Sequence, residues 1–382
     1  MKRITCAGAA VVALAASLAM TGCLKSSTAP PGGDAANSVT VLISGDTNIQ
    51  DLWQKALIPG FEKANPGKKI NITFDLHGAN DQQNLGKLSA AVKSGNDPSF
   101  DLIEGGFVNQ AAQAKLLEPE SDSNLSALSK VPKTLVTQGL GAGVPYRASS
   151  VLLAYNTKNV SSPPKTLAEL LAWIKAHPGK FAYNSPKSGG SGGAFVATVL
   201  DANMDAATQQ KMRVSYDESL ESAWDPGFKQ LKSLNPYVYG KGVYPNGNDA
   251  VLNLMSTGEI DVAPVWSDQF LSGQKNGQIP ATVKVTQISN PSFTGGGAYL
   301  GLAKTSTHKE LAQKVLEYVL TAESQTSIAS DIAGYPVIPL ADLPADVQKR
   351  FADAKPDQLR TGFFANFSND VNSKWDQKVP GK

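Results

Sequence analysis

Short apolar runs along the chain alternate with stretches that have helical spacing. Runs that are rich in β-branched and aromatic residues indicate strands. The predicted strands are Val39–Ile43, Ile70–Asp75, Phe100–Ile103, Val144–Tyr155, Phe181–Asn184, Ile260–Val265, Val283–Ile288 and Ala298–Ala303. Strands interleaved with helices are typical of an α/β fold, and we expect its sheets to be largely parallel.

Two capping boxes predict where helices begin. Thr166-x-x-Glu169 precedes the apolar stripe of Leu167–Ala176, and Thr307-x-x-Glu310 precedes a second amphipathic stretch. In such a box the two side chains satisfy free N–H groups of the first helical turn. Further helices are predicted around Trp53, Leu57 and Phe61 with a kink at Pro59, near 194–201, and near 248–256.

The first residues have the pattern of a bacterial lipoprotein signal. Lys2 and Arg3 precede the apolar run Ile4–Met20, which is short for a membrane span, and Cys23 follows small residues. This resemblance implies cleavage before Cys23 and acylation, such as palmitoylation, of its thiol. An ordinary secretion signal with an incidental cysteine is the alternative. Residues 24–37 are rich in Ser, Pro, Gly and Ala, which predicts a flexible tether.

Charge and cysteine content narrow the classes of function. Cleavage before Cys23 leaves 360 of 382 residues and lowers the formal net charge from +2 to 0. A neutral surface without basic runs does not attract nucleic acid. Cys6 leaves with the signal, so the mature fold has no thiol for a disulfide, a metal ion or catalysis. We therefore predict a protein without cofactor or metal, held at the membrane by lipid alone.

Several short motifs follow one another along most of the mature chain. They are Pro59–Lys63, Asp101–Ile103, Leu116–Pro119, Gly143–Tyr146, Tyr155–Asn156, Thr166–Leu170, Gly258–Val262 with Trp266 behind it, and Gly334–Pro339. Their order and spacing resemble the extracellular solute-binding proteins, family 1, which serve ABC importers.

The resemblance implies a two-lobed, periplasmic-binding-protein-like type II α/β fold, in which crossover strands form a hinge beside a ligand cleft. The implied division is a signal at 1–22, a tether at 23–37, lobe 1 at 38–155 and 282–320, lobe 2 at 156–281, and a C-terminal helical segment at 321–382 that packs across both lobes. The implied protein is a monomer on the outer face of the cell membrane. It captures a small solute and delivers it to ABC permease subunits driven by a cytoplasmic ATPase.

Ligands of open α/β sheets bind beyond the carboxyl ends of the strands, so the turns after strands contain the candidate contacts. The candidates are Ser44, Asp46, Asn48, Glu104, Phe107, Tyr146, Arg147, Ser191, Gly192, Trp266, Asp268 and Tyr335. Several have structural alternatives. Asp46 is also placed to cap a helix. Phe107 and Trp266 are also suited to a hydrophobic core.

The type of ligand is left open by the sequence. Glycines at 188–193 precede a helix, where free N–H groups attract anions, and Arg147 also suits a phosphate. Aromatic residues beside Glu104 or Asp268 suit a cationic ring. The resemblance is nearest to a branch of thiamine carriers, which implies a thiamine-like, phosphorylated or zwitterionic ligand. A sugar or polyamine carrier of the same fold is the alternative.

A lipid-anchored enzyme is the alternative from another class. The chain has no His-x-x-x-His, Gly-x-Ser-x-Gly, Walker or dinucleotide-binding motif. Its histidines, His77, His177 and His308, are far apart in sequence, and we interpret them as surface or capping residues. We therefore predict a protein that binds its ligand without converting it.

Overall fold

One long strand connects the two lobes of the computed structural model, which describes residues 35–352 and 359–381. The strands are β1 (Ser38–Gly45), β2 (Lys69–Leu76), β3 (Leu102–Glu104), β4 (Gly143–Asn156), β5 (Val262–Trp266), β6 (Val283–Thr286) and β7 (Gly295–Leu302). The α-helices are α1 (Thr47–Leu52), α2 (Ile58–Ala64), α3 (Asp81–Ser94), α4 (Val108–Gln113), α5 (Lys133–Gln138), α6 (Leu167–Ala176), α7 (Gly190–Ala202), α8 (Ala206–Val214), α9 (Asp225–Ser233), α10 (Asn248–Thr257), α11 (Ser267–Lys275), α12 (Lys309–Val319), α13 (Ala322–Asp331), α14 (Ala345–Arg350) and α15 (Phe367–Lys378).

The strands are ordered β2-β1-β3-β7-β4-β5, and β6 also pairs with β4. β1 is parallel to β2 and to β3, whereas β7 is antiparallel to β3 and β4, and β4 is antiparallel to β5 and β6. The expectation of largely parallel pairing is therefore wrong. The antiparallel pairing arises from the two crossover strands. β4 leaves the first lobe and β7 returns to it, so they run in opposite directions.

β4 contributes to both lobes. Residues 143–150 pair with β7, and residues 151–156 lie between β5 and β6. The apolar side chains on either side form separate cores, one built around Trp53 and Phe61 and the other around Phe195 and Trp224. Each core is closely packed with buried aromatic rings, which stabilises each lobe separately. This arrangement confirms the two-lobed α/β fold with crossover strands.

The boundaries between the lobes stay a prediction. The pairing of β6 and the packing of the C-terminal segment show which lobe these parts of the chain contact. β6 pairs with the half of β4 that lies in the second lobe, with Leu153 opposite Thr286, which favours a boundary after residue 286. In the C-terminal segment, Ile328 belongs to the core of the first lobe, whereas Phe367 and Trp375 belong to that of the second.

Two local predictions are wrong. Phe181–Asn184 forms no strand; it makes one isolated bridge, between Phe181 and Val262. The Thr307-x-x-Glu310 box does not cap α12, because the Thr307 hydroxyl donates to Asp97 and the Ser306 oxygen instead accepts the N–H of His308 at 3.0 Å.

The structure contains the other predicted capping box, and a helical irregularity lies directly before Pro59, where a kink is predicted. Glu169 N–H donates to Thr166 Oγ1 at 3.1 Å, and Glu169 Oε2 accepts the N–H of Lys165 at 2.8 Å, which confirms this box. A π-helical turn at Trp53–Leu57 precedes Pro59, which lies in the first turn of α2. Helical residues lead into Pro59 without a break, so its missing N–H falls inside a continuous helical stretch, where the π-helical turn accommodates it.

The predicted signal peptide, Cys23 and residues 24–34 of the predicted tether lie outside the described residues. Residues Ala35–Asn37 form one turn of 3-10 helix before β1. In the part of the chain that the structure describes, no helix combines the length and apolar character needed to span a bilayer.

Candidate ligand-binding cleft

A cleft of about 840 Å³ lies between the lobes. Eight of the residues predicted from sequence line it: Ser44, Asp46, Asn48, Glu104, Phe107, Arg147, Trp266 and Asp268. The other four, Tyr146, Ser191, Gly192 and Tyr335, are not among its lining residues. The turns that follow strands in both lobes thus open on the same cavity.

Parallel pairing brings the first of these turns together. β1 and β3 are neighbours and end at the same edge of the sheet, which places Ser44 beside Glu104 and Gly105. Gly105 has a φ of +137°, and a Cβ there would lie 2.6 Å from Ser44 Cβ. A side chain at 105 would therefore force the two turns apart, because the conformation and the space both require glycine.

Arg147 forms the centre of a buried network in the floor of the cleft. Its Nη1 donates to Asp268 Oδ2 at 2.9 Å, and its Nη2 donates to Glu104 Oε1 at 3.3 Å. Its Nε donates to the oxygen of Tyr146, whose hydroxyl donates to Glu104 Oε1 at 2.8 Å. Ser149 donates to Asp268 Oδ1 at 2.7 Å. The network therefore joins Glu104 of the first lobe to Asp268 of the second.

Burial sets the protonation of this network. Desolvation raises the pKa of Glu104, against the opposing effects of Arg147 and Tyr146. Burial alone would lower the pKa of Arg147, but Tyr146, Asp268 and Glu104 raise it overall, so the guanidinium stays charged. Burial also raises the pKa of Tyr146, which stays a neutral donor. Two carboxyl groups thus share one cation.

Glu104 keeps one oxygen without a partner. The residue is 1% exposed, and its Oε2 has no hydrogen bond within the described residues. A buried carboxylate oxygen without a donor is costly, at about 1–3 kcal/mol. Because Glu104 lines the cleft, a ligand with an N–H or cationic group would satisfy this oxygen once a small movement of the carboxyl group exposes it.

A further carboxyl group, which the sequence did not single out, lies beside the same wall. Asp81, at the start of α3, lines the cleft and accepts the Ser44 hydroxyl at Oδ1 at 2.6 Å. Burial, opposed by this hydrogen bond and reinforced by Asp75 and Glu104, raises the pKa of Asp81 to about 7. Its charge therefore changes near neutral pH.

The two lobes are in contact along one rim of the cleft. Asp46 Oδ2 accepts the side-chain N–H of Asn248 at 2.6 Å, and Asp46 Oδ1 lies 2.7 Å from His77 Nδ1. Asp46 makes no side-chain cap at the start of α1, so the capping alternative for this residue is wrong. The interpretation of His77 as a surface or capping residue is wrong as well, since it lines the cleft.

The opposite rim is also bridged. Asn369 donates to Gln82 Oε1 at 2.9 Å, and the Gln110 side chain donates to the carbonyl of Ala365 at 3.0 Å. The partners from the first lobe belong to α3 and α4, and the others belong to the C-terminal segment that packs on the second lobe. With contacts on both rims, the structure shows the lobes closed around the cavity.

In the glycine-rich stretch at the start of α7, two backbone N–H groups already donate to asparagine side chains. Gly192 N–H donates to Asn184 Oδ1 at 2.9 Å, and Ser191 N–H donates to Asn248 Oδ1 at 3.2 Å. The Ser191 hydroxyl lies within hydrogen-bonding distance of Oδ1 of both asparagines, at 2.9 Å from Asn184 and 2.7 Å from Asn248. Ser191 and Gly192 are therefore engaged in a network within the second lobe, which argues against an anion at this helix start.

The remaining aromatic candidates differ in their surroundings. Phe107 is fully buried in the core of the first lobe, which favours its structural interpretation. Trp266 is half-buried at the end of β5, and a Cβ on Gly190 would lie 2.8 Å from its Cζ2. Tyr335 exchanges backbone hydrogen bonds of 2.8 and 2.9 Å with Ala148 of β4, so it braces the crossover strand.

Acidic groups outnumber basic ones in the lining. The acidic residues are Asp46, Asp81, Glu104 and Asp268. The basic residues are His77, Arg147 and Lys187, of which Arg147 is shared by two carboxyl groups and Lys187 pairs with Asp376. Among the described residues the lining therefore has four acidic and three basic side chains, and in its floor two carboxyl groups face one guanidinium.

Fold and cleft together define a two-lobed binding protein of the periplasmic type. The chain belongs to the bacterial extracellular solute-binding proteins, whose family model matches residues 56–355. It is thus an extracellular solute-binding protein of the type that serves ABC transporters, which confirms the family relationship at this level. None of the curated proteins matches the chain.

Solved structures share this fold at low sequence identity. Maltose-bound MalE3 from T. maritima has a TM-score of 0.67 and 15% identity, over 90% of this chain and 95% of that one. An ABC transporter substrate-binding protein from Bradyrhizobium japonicum USDA 110 has a TM-score of 0.63 and 19% identity, over 90% and 99%. Iron-bound HitA from Pseudomonas aeruginosa has a TM-score of 0.63 and 19% identity, over 88% and 99%.

Proposed function

We propose that this chain is the substrate-binding lipoprotein of an ABC importer and that its ligand is a small organic cation with a thiamine-like aromatic ring. The observation that carries the proposal is the unpartnered Oε2 of Glu104 in a closed, acidic cleft. Trp266 at the same cavity offers an indole face to a cationic ring, a contact of about 0.5–2 kcal/mol.

A phosphorylated ligand is less well supported. Arg147 is bound to both Glu104 and Asp268, and the N–H groups of Ser191 and Gly192 already have acceptors. A phosphate would have to displace these partners and would face the nearby carboxylates. A neutral sugar would donate a hydroxyl to Glu104 but would bring no positive charge to it.

The position of the Arg147 network between the lobes suits a ligand that closes the cleft. Glu104 belongs to the first lobe, and Asp268 and Trp266 belong to the second, so a solute between them contacts both. A ligand that binds the closed form better than the open form shifts the population toward the closed form. The closed, loaded receptor then docks on the permease, while lipid on Cys23 holds it at the membrane.

Calorimetric titration of the full chain with four solutes tests the proposed ligand class. We expect thiamine to bind more tightly than thiamine monophosphate, spermidine or maltose, because only thiamine combines a cationic ring with no anionic group. Stronger binding of the phosphate ester or of maltose would contradict the organic cation. Chemical conversion of a bound solute, followed by mass spectrometry, would contradict a binding protein.

The lipid anchor is tested separately by Cys23→Ser. If the thiol is acylated, this change is expected to move the protein from the membrane fraction to the soluble fraction of its host cells. Cys6→Ser is the matched control and is expected to leave the protein membrane-bound. Membrane retention of the Cys23→Ser variant would contradict the anchor without affecting the proposed ligand.

A further inference from the structure

Three side chains with metal-binding atoms meet at the rim where the lobes touch. They are Asp46 in the turn after β1, His77 after the end of β2, and Asp249 in the first turn of α10. Their potential ligand atoms, one nitrogen or oxygen from each, all lie within 4.8 Å of one another. Each residue is only half-buried, so an ion from solution is able to reach the group.

The group is divided between the two lobes. Asp46 and His77 belong to the first lobe, and Asp249 belongs to the second. The approach is close, since a Cβ on Gly247 would lie 2.7 Å from Nε2 of His77. The Nε2 edge of the imidazole therefore faces the loop before α10, and Nδ1 is the nitrogen that faces Asp46 at 2.7 Å.

A second observation at this place is an unsatisfied amide. Gln269 is 6% exposed and lines the cleft, and its side-chain nitrogen contacts Asp249 Oδ1. Its Oε1 is buried and has no hydrogen bond within the described residues. The amide therefore contacts Asp249 through its nitrogen and keeps an unused acceptor on a residue next to the cluster.

The electrostatics of the cluster also favour a cation. Closing the lobes brings the carboxylates of Asp46 and Asp249 together at a partly desolvated rim, where their repulsion is weakly screened.

The donor set selects the class of ion. One imidazole nitrogen with two carboxylates suits Zn²⁺ and similar divalent transition metals, which take three protein ligands and leave a position for water. Mg²⁺ and Ca²⁺ prefer oxygen ligands only. We propose that Asp46, His77 and Asp249 form a site for a divalent transition-metal ion that joins the two lobes and stabilises the closed cleft. This site does not depend on the identity of the organic ligand.

Titration of the EDTA-treated full chain with ZnCl₂, MgCl₂ and CaCl₂, followed by calorimetry, tests the site. We expect one Zn²⁺ per chain and no comparable binding of Mg²⁺ or Ca²⁺. Asp249→Asn and His77→Gln are each expected to raise the dissociation constant for Zn²⁺ more than about tenfold, since each removes one ligand. Asp249→Asn retains the shape of the side chain, so it tests the site even if His77→Gln fails to fold.

A matched control lies elsewhere in the chain. His308 Nδ1 is 3.0 Å from Asp101 Oδ1, which gives a histidine–carboxylate pair away from the cleft. His308→Gln is expected to leave Zn²⁺ binding unchanged. Absence of Zn²⁺ binding, or binding that both cleft variants retain, would overturn the proposed site.

Small-angle X-ray scattering tests the joining of the lobes. Zn²⁺ is expected to reduce the radius of gyration of the unmodified chain, without any organic solute, and to have no such effect on Asp249→Asn. Zn²⁺ binding that leaves the radius of gyration of the unmodified chain unchanged would overturn the closure. None of these outcomes involves thiamine or its analogues, so they are separate from the tests of the proposed function.

Discussion

Two buried clusters of arginine and carboxylate groups lie within the part of the chain that the structure describes. They differ in whether positive or negative groups are in excess. In the floor of the cleft, Arg147 contacts both Glu104 and Asp268. Inside the second lobe the ratio is reversed, since the carboxylate of Asp201 contacts the guanidinium groups of Arg213 and Arg360. The first cluster borders the cavity, whereas the residues of the second are not among the described residues that line it.

The second cluster anchors the C-terminal segment. Asp201 of α7 accepts Arg213 at 2.8 Å and also accepts Arg360, whose side chain donates in addition to Thr198. Burial lowers the pKa of Arg360, and Asp201 opposes this effect. Asp201 also has an oxygen without a partner, but its surroundings are rich in positive charge. The comparison shows that the cluster with a surplus carboxylate is the one that borders the cleft, whereas the cluster with a surplus guanidinium lies away from it.

Replacing Arg147, which two carboxyl groups share, is expected to have the largest effect on the free energy of unfolding. Arg147→Met leaves two buried carboxyl groups without their cation and is expected to lower the free energy of unfolding by about 3–5 kcal/mol. Arg360→Met leaves Asp201 paired with Arg213 and is expected to cost about 1.5–3 kcal/mol. Denaturant unfolding of both variants measures the difference. An equal or larger loss for Arg360→Met would contradict the comparison.

Glu104→Gln removes the surplus charge while it keeps the acceptor for Arg147 and Tyr146. The variant loses a charged hydrogen bond to the ligand, so its affinity for an organic cation is expected to fall about tenfold to a hundredfold, or about 1.5–3 kcal/mol. Its free energy of unfolding is expected to stay constant or rise. The control is Glu62→Gln, because Glu62 pairs with Lys69 on the surface. Undiminished affinity for Glu104→Gln in calorimetry would sink the proposed role.

Trp266→Ala tests the aromatic side of the cleft. A cation–π contact of about 0.5–2 kcal/mol corresponds to a loss of affinity of about two- to thirtyfold. Because Trp266 is half-buried, thermal unfolding is expected to change little. Unchanged affinity together with a large loss of thermal stability would show that Trp266 is a structural residue.

The smallest expected effect is a pH dependence that arises from Asp81. Because the pKa of Asp81 is about 7, its carboxylate charge develops as the pH rises from 6 to 8. Affinity for a cation should rise over this interval, and loss of the proton from His77 acts in the same direction. Asp81→Asn is expected to flatten most of the profile. A profile that this variant leaves as steep as before would exclude Asp81 as the titrating group.

The stability of the ligand-free protein provides the control for that profile. The folded pKa of Asp81 exceeds its ordinary value of 3.8, so the folded state binds more protons between about pH 4 and 7. The contribution of Asp81 to stability is therefore present at low pH and is lost as the pH rises toward 7. Asp81→Asn should remove this part of the dependence in denaturant unfolding at each pH.

Much of the cleft was predictable because strand ends are visible in the sequence. Turns after predicted strands indicated Glu104, Trp266 and Asp268, which line the cleft, whereas Arg147 lies within β4 and was indicated by its charge in an otherwise apolar segment. The same rule applied to β2 points to His77, which directly follows it. An isolated histidine is by itself more typical of a surface residue, so its place after a strand is the only signal in the sequence for its position in the cleft.

Other features depend on contacts that sequence spacing does not show. Asp46 and Asn248 are hydrogen-bonded partners that lie in different lobes. The antiparallel course of β4 and β7 depends on how the chain crosses between lobes, which the apolar pattern of each strand does not encode. Asn184 occupies the start of α7 only because the tertiary fold brings it there.

Native mass spectrometry of the full chain, purified from its own host without added solute, is the most direct measurement of the central claim. We predict one small organic cation bound per chain, which is released unchanged on unfolding and is absent from Glu104→Gln. A bound anion or neutral sugar, or a cation that the Glu104→Gln variant retains in full, would contradict the account.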